Sequence, residues 1–175
     1  INALTDDRKG YKYLISALQK LSNNGLGQTT EVVIFGSGRP QESSDLGMKV
    51  HYLGTLYDDV TLALIYASAD VTVTPSIQEA FGKTAMESLA CGTPVVSFDS
   101  TGFKDIVDHE KNGYRAKCFK SDDLANGISW ILENETRWQN LSHRAREKVE
   151  QVFTLKNQAN KYLKLYEDIL KSNWI

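Results

Sequence analysis

Two glutamates, Glu79 and Glu87, are the residues of this sequence whose type and spacing best suit chemistry on a bound molecule. The first lies in a loop after an apolar run, and the second lies two turns into the helix that follows. Paired carboxylates are typical of glycoside hydrolases, and they also accept hydrogen bonds from neighbouring hydroxyls of a sugar or ribose. A weak i,i+4 ion pair of Glu87 with Lys83 would explain that glutamate equally well without any site.

The helix that carries Glu87 begins near residues 79–82, and this start predicts an anion site. The first backbone N–H groups of a helix have no partner within it, and the positive end of the helix dipole lies there. Arg8 and Lys9 precede another helix, so they are either a clamp for a diphosphate or two solvated charges. Gly36 and Gly38 are either a turn that lets the backbone approach a ligand or a plain strand end. A dinucleotide fingerprint is excluded there, because Gln41 replaces its third glycine.

The order of the predicted elements indicates how these residues are positioned. Continuous apolar strands alternate with helices, which predicts an α/β domain with a doubly wound, Rossmann-like parallel sheet and extra C-terminal helices. Ligands of such sheets bind at the carboxyl ends of the strands, so the loops there should surround one crevice. We expect strands at 1–4, 31–35 (buried), 49–53, 71–74, 95–98 and near 112–117. Helices are expected at 10–23, 58–68, 103–107, 121–132, 138–151 and 155–170, with Asp58 or Asp59 as the cap of the second and a side chain of residues 121–123 as the cap of the fourth. The loops of the crevice are expected at 8–10, 36–38, 54–55, 76–82 and after Phe98.

Composition excludes several other classes of protein. The 175 residues carry a formal net charge of −2 with acids and bases interspersed, which argues against nucleic acid as a partner. The chain has no long apolar run and no signal peptide, so we expect a cytoplasmic protein. Neither Asp-x-Asp nor a metal-ligand spacing of histidines occurs, so we predict no metal. No cofactor is predicted either.

The motifs, taken together, resemble a known family. PSIQEAFGKTAMESLACGTPVVSF contains the E-x-F-G-x-x-x-x-E signature of retaining glycosyltransferases of family 4 (glycosyl transferases group 1). RKG, VVIFGSG, VHYLGTL, ASADVTVTPS and DIVDHEKNGY surround it in the expected order, from about residue 1 to residue 132. The resemblance implies the C-terminal donor-binding domain of a two-domain GT-B fold.

The resemblance also implies roles for residues. Glu87 would accept hydrogen bonds from the ribose of a nucleotide-sugar donor, Glu79 would face the donor sugar, and Lys9 would neutralise the diphosphate. The family's arginine at the end of the first strand is missing, and Arg8 is its nearest substitute. The family's usual Leu-Pro is Lys83-Thr84 here. The implied catalytic residues are Glu79 and Lys9, and the implied donor-binding residues are Arg8, Gly36, Gly38, Ala80, Phe81, Gly82, Lys83, Thr84 and Glu87.

The function implied is a hexosyltransferase-type reaction, metal-independent and retaining, with a nucleotide-sugar donor and a glycan or lipid-linked acceptor. The chain begins without Met, so we expect 1–175 to be the C-terminal domain of a longer chain, with 135–175 as a helical extension. Its partner would be the N-terminal acceptor domain, without which we expect no turnover. Any peripheral contact with a membrane, at its cytoplasmic face, would come through the parent protein.

Two alternatives from other classes stay open. One is a non-catalytic α/β regulatory domain whose glutamates are surface charges. The other is a different GT-B enzyme, such as a nucleotide-sugar epimerase. Nucleotide binding would distinguish the first alternative from a donor-binding domain.

Overall fold

The computed structural model describes residues 6–38 and 45–172, and it has α/β architecture. The strand expected at 1–4 lies outside the described residues. The strands are β1 (Glu31–Phe35), β2 (Lys49–Gly54), β3 (Thr72–Thr74), β4 (Val95–Phe98) and β5 (Gly113–Ala116). The helices are α1 (Tyr11–Asn23), α2 (Asp59–Ser68), α3 (Lys83–Ala90), α4 (Phe103–Ile106), α5 (Ser121–Leu132), α6 (Glu135–Val152) and α7 (Leu155–Lys171).

Every ladder between these strands is parallel. β1 pairs with β2, and β4 lies between β3 and β5 in a second ladder. In the second ladder a helix connects each strand to the next, α3 between β3 and β4 and α4 between β4 and β5, because parallel neighbours need a crossover connection. The predicted parallel α/β fold is therefore confirmed, and it places the carboxyl ends of β3, β4 and β5 at a common edge.

Two apolar clusters cover the two faces of the second ladder. Val96 of β4 packs on the α1 and α5 side, and the preceding residue Val95 packs on the side of α3, α4 and α6, because side chains alternate along a strand. The first cluster includes Ala17, Leu18, Leu21, Phe98, Leu124 and Ile131, and the second includes Ala85, Leu89, Phe103, Ile106 and Ala145.

β4 is buried along its whole length, whereas the prediction of a buried strand at 31–35 is wrong. Val33 is 48% exposed, although Val32 packs against the first cluster. The opposite side of β1 is covered at Phe35, whose ring centroid lies 5.5 Å from that of Tyr66 in α2. Val33 stays exposed to solvent because Tyr66 covers only the end of β1, at Phe35.

Helix caps agree with the sequence at some positions and not at others. Asp58 accepts a hydrogen bond from the Thr61 N–H at 2.7 Å, so the predicted cap of α2 is confirmed. The predicted side-chain cap of α5 at residues 121–123 is wrong. The carboxylate of Asp123 instead accepts hydrogen bonds from the Lys117 N–H at 2.7 Å and from the Tyr114 hydroxyl at 3.1 Å.

The C-terminal helices extend beyond the parallel ladders. α6 begins three residues earlier than predicted, because Asn134 caps it by accepting from the Arg137 N–H at 2.8 Å. α7 has no buried residue, and the apolar side chains of Leu155 and Leu170 are 85% and 82% exposed. None of the helices in residues 6–38 and 45–172 has the length and apolar character to cross a bilayer.

Candidate functional site

The loop at 8–10 and the loop after β3 meet in the structure. The Ile77 N–H donates to the Arg8 carbonyl at 2.8 Å. Gly10 has a φ of +66°, and a Cβ built on it would lie 1.9 Å from the Pro75 carbonyl oxygen. A side chain at position 10 would therefore separate the two loops, so glycine is required there.

This contact brings Lys9 to Glu79, which is 70 residues away in sequence. The Lys9 ammonium lies 2.8 Å from Oε2 of Glu79, and the side chains are 42% and 24% exposed. The structure thus brings together the two residues to which the family resemblance gave catalytic roles. Both keep a surface that a ligand can reach, and the ammonium has further N–H donors.

A third loop, between β4 and α4, holds the main chain of Glu79. The Glu79 N–H donates to Thr101 Oγ1 at 2.9 Å, and the Gly102 N–H donates to the Glu79 carbonyl at 3.0 Å. Thr101 did not emerge from the sequence, because no motif marks it. Its position shortly after β4, among the loops at the carboxyl ends of the strands, was the only signal.

The N-terminus of α3 lies directly after this loop. Gly82 is its N-cap residue, with a φ of +95°, and no side chain hydrogen-bonds there as a cap. A Cβ on Gly82 would come within 2.9 Å of the Phe103 ring. The N–H groups of Lys83 and Thr84 belong to the first turn, where helices leave N–H donors unpaired. Ala80, Phe81, Lys83 and Thr84 are exposed around them.

Glu87 lies further along α3, and each of its carboxylate oxygens has one partner. The Lys83 ammonium is 3.3 Å from Oε1, which is the helix pair anticipated from the sequence. The hydroxyl of Tyr66 donates to Oε2 at 3.1 Å. Tyr66 is almost fully buried, and this burial, with the nearby charge of Glu87, raises the pKa of its hydroxyl. Sequence reasoning missed Tyr66, because its partner lies on another helix.

The side chain of Arg8 forms an ion pair with Asp6. Its Nε and Nη2 donate to the two carboxylate oxygens of Asp6 at 3.0 and 2.8 Å, and the side chain is exposed. The hydrogen bonds from Arg8 hold the pKa of Asp6 below its ordinary value. A phosphate would have to replace or share Asp6 to reach this guanidinium.

The loop after β1 contacts the last residue of β2. The Gly36 N–H donates to the Gly54 carbonyl at 2.7 Å, and Gly36 has a φ of +79°. Among the residues that the structure describes, no atom lies within 4 Å of a Cβ built on Gly38. The loops at 8–10, 75–82 and 99–102 therefore form one group, and those at 36–38 and 54 form another.

The arrangement suits an anionic ligand that carries hydroxyls. Lys9 and the α3 N-terminus offer positive charge and N–H donors, while Glu79 and Glu87 offer acceptors. Across residues 6–38 and 45–172, no three His, Cys, Asp or Glu side chains cluster to hold a metal ion, and the expectation of no metal stays a prediction. Two surface pockets lie elsewhere, one beside Cys91 and Arg146 and one beside Trp130 and Arg137.

The fold is a parallel α/β domain whose loops bring Lys9, Glu79 and the start of α3 to the carboxyl ends of its strands. Residues 3–151 match the family model of glycosyl transferases group 1, and the chain belongs to that family. It is 33% identical over 167 residues to an uncharacterized glycosyltransferase of Methanocaldococcus jannaschii, a match that covers 91% of this chain and 42% of the relative. The chain thus spans less than half of that relative's length.

Solved structures agree on the fold. Sucrose-phosphate synthase from Thermosynechococcus elongatus superposes with a TM-score of 0.78 at 29% identity, covering 96% of this chain and 44% of that one. HepE of Anabaena, solved in complex with UDP, superposes with a TM-score of 0.77 at 24% identity, covering 92% and 46%. The chain has the fold of one Rossmann-like half of a GT-B glycosyltransferase.

Proposed function

We propose that this chain is the donor-binding domain of a glycosyltransferase that transfers a sugar from a nucleotide-sugar donor. The observation that carries the proposal is the ion pair of Lys9 with Glu79 at 2.8 Å, next to the N-terminus of α3. It places a cation, unpaired N–H donors and a carboxylate at one edge of the fold. A diphosphate joined to a sugar presents the complementary groups.

The nucleotide would lie along this edge with its diphosphate at Lys9 and the first turn of α3. The ribose hydroxyls would bind Glu87, whose oxygens each have one protein partner and so keep capacity to accept further bonds. The base would lie beside the end of β2 and the loop after β1, where the Gly36 N–H donates to the Gly54 carbonyl. UDP in the complex of HepE supports a nucleoside diphosphate as the ligand class.

The chemistry proposed is transfer with retention at the anomeric carbon, as in family 4, without a metal ion. The bond from that carbon to the diphosphate oxygen breaks, and its electron pair stays with the leaving group. The acceptor's hydroxyl oxygen would form the new bond to the carbon and pass its proton to the departing diphosphate. Lys9 and the N–H groups at the start of α3 would stabilise this charge, since fixed donors aimed at developing charge lower a barrier. Arg8 would join them on leaving Asp6, and Glu79 would hold the sugar hydroxyls near the reacting carbon.

The acceptor would bind on a second domain of the parent protein. The sequence relative in M. jannaschii extends well beyond the matched region, which supports a further domain there. In this proposal the chain alone binds the donor and does not turn it over, and its parent is a hexosyltransferase acting on a glycan or lipid-linked acceptor.

The test is a backbone-amide NMR titration of the chain with UDP, GDP and ADP, alongside the variant Glu87→Ala. In this proposal the other half of the cleft belongs to a second domain, so for the chain by itself we expect a dissociation constant of about 1 mM, or about −4 kcal/mol. Shifts should concentrate at residues 8–10, 36–38 and 79–87, be strongest for one base and fall in the variant. Glu150→Ala is the matched control, because Glu150 also pairs with a cation four residues earlier on its helix, at 2.7 Å from Arg146.

Two results would count against the proposal. If no nucleotide shifts the spectrum of the folded chain at several times the expected constant, the regulatory interpretation is favoured. If Glu150→Ala weakens nucleotide binding as much as Glu87→Ala does, the weaker binding is not specific to position 87. Glu87 then does not bind the ribose hydroxyls.

A further inference from the structure

We infer that Thr101 is a positioning residue that sets the placement of Glu79 and, through it, selectivity for the donor sugar. The inference rests on the proposed function and adds a residue that no motif of the sequence marked. It is carried by the geometry of the turn between β4 and α4.

Glu79 is held at three points. Its N–H donates to Thr101 Oγ1 at 2.9 Å, its carbonyl accepts from the Gly102 N–H at 3.0 Å, and its carboxylate contacts Lys9 at 2.8 Å. Two of the three contacts come from consecutive residues of one turn. The peptide units on either side of Glu79 are therefore fixed by that turn.

Thr101 has a backbone conformation that a β-branched residue rarely adopts. Its φ is +36°, in the left-handed region that favours glycine, asparagine and aspartate. Such outliers persist where the surroundings enforce them, and they concentrate at functional sites. A glycine at position 101 would avoid the strain, but it would carry no hydroxyl to accept from Glu79.

The neighbouring contacts explain why the turn keeps this conformation. A Cβ at Gly102 would lie 2.7 Å from the carbonyl oxygens of Ala80 and Phe81, so the turn is packed directly on the loop of Glu79. The Ser100 N–H donates to the Phe98 carbonyl at 2.8 Å, and the Lys104 N–H donates to the Thr101 carbonyl at 3.2 Å. The turn therefore fixes the main-chain conformation of residues 79–82 by direct packing and hydrogen bonds.

Glu79 is the carboxylate that faces the donor sugar in the proposed function. A small displacement of its main chain would move that carboxylate relative to the sugar, while the nucleotide would keep its contacts with Glu87 and the start of α3. Loss of the Thr101 hydroxyl should therefore weaken sugar recognition more than nucleotide recognition.

The test uses Thr101→Val, Thr101→Ser and Thr101→Gly in the full chain, with Thr154→Val as the matched control. Thr154 Oγ1 likewise accepts from a main-chain N–H, that of Asn157 at 3.2 Å, but at the start of α7. Three quantities are measured by NMR and thermal melting: the exchange rate of the Glu79 amide proton, the melting temperature, and a ratio of affinities. The ratio is the affinity for a sugar nucleotide divided by the affinity for the nucleoside diphosphate that it contains. UDP-glucose and UDP-N-acetylglucosamine are compared with UDP, and GDP-mannose is compared with GDP.

We expect Thr101→Val to speed exchange of the Glu79 amide and to lower the ratio for the preferred sugar nucleotide about fivefold, the size of one hydrogen bond. Thr101→Ser should leave the exchange rate of the Glu79 amide and the affinity ratio unchanged, because serine keeps the hydroxyl. Thr101→Gly should lower the ratio while the melting temperature holds or rises, since strain at φ +36° is relieved. Thr154→Val should lower the melting temperature and leave the ratio unchanged.

Each contrary result has its own meaning. If Thr101→Val and Thr101→Gly bind nucleotide with an unchanged affinity ratio, the role of Thr101 is overturned and the proposed function still stands. That role is also overturned if the unmodified chain binds no sugar nucleotide more tightly than its nucleoside diphosphate. If the unmodified chain binds no nucleotide at all, the proposed function fails, and this inference fails with it.

Discussion

Replacement of Lys9 by alanine separates a binding role from a structural one. Within residues 6–38 and 45–172, Lys9 forms one ion pair, with Glu79, and its side chain is 42% exposed. A pair this exposed contributes about 0 to 1 kcal/mol to folding, because water screens it. In a domain of this size, that loss lowers the melting temperature by at most about 4 °C.

The expected loss of nucleotide affinity is larger. A hydrogen bond to a charged group contributes about 1.5 to 3 kcal/mol, and about 1.4 kcal/mol corresponds to a factor of ten. Lys9→Ala should therefore weaken UDP binding at least about tenfold while the fold is kept. In the complete enzyme, loss of one donor to the leaving group should cost about 2.7 to 4 kcal/mol in the barrier.

Lys20→Ala is the control for this prediction. Lys20 also forms an ion pair at 2.8 Å, with Asp122, and its side chain is 41% exposed. The two variants should therefore melt alike and differ in UDP titrations followed by NMR. Equal UDP affinity in Lys9→Ala and the unmodified chain would refute the assignment of Lys9 to the diphosphate.

Further predictions concern stability, pH and association. Gly10→Ala should destabilise the chain by about 2 to 4 kcal/mol in urea unfolding, because its Cβ meets Pro75, whereas Gly54→Ala, with a similar φ of +68° and open space around it, should cost about 1 kcal/mol. Equal losses would show that the clash is relieved elsewhere. Hydrogen bonds from Lys49 and His51 lower the pKa of the Glu31 carboxyl from its ordinary value of 4.5. The contribution of Glu31 to the free energy of unfolding is therefore present above pH 4.5 and is lost as the pH falls through the lowered pKa. Glu31→Gln should accordingly flatten the acid side of the melting-temperature profile, and an unchanged profile would contradict this. The exposed apolar side of α7 predicts self-association at high concentration, which Leu163→Glu should reverse in sedimentation experiments. A chain that stays monomeric at millimolar concentration would contradict it.

Local patterns in the sequence predicted much of the fold. The run VVSF at 95–98 is mostly apolar and predicted a strand, and β4 forms there with all four residues buried. Asp58 before an apolar helix predicted its own cap, because capping depends on residues close in sequence. Val33 did not follow its pattern, since burial of a strand depends on what covers it, and sequence alone does not specify that cover.

The candidate site was predictable by type of residue and less so by contact. The resemblance named Lys9 and Glu79, but their contact depends on the packing of Gly10 against Pro75. Thr101 carries no motif and became visible only through its hydrogen bond and its φ. Long-range contacts of this kind follow from how loops pack, which a local pattern does not contain.

A crystal structure of this chain with UDP tests the central proposal most directly. We expect diphosphate oxygens about 3 Å from the Lys9 ammonium and from the first N–H groups of α3, with the ribose hydroxyls on Glu87. UDP bound elsewhere, for example beside Trp130 and Arg137 in the pocket of α5 and α6, would contradict it.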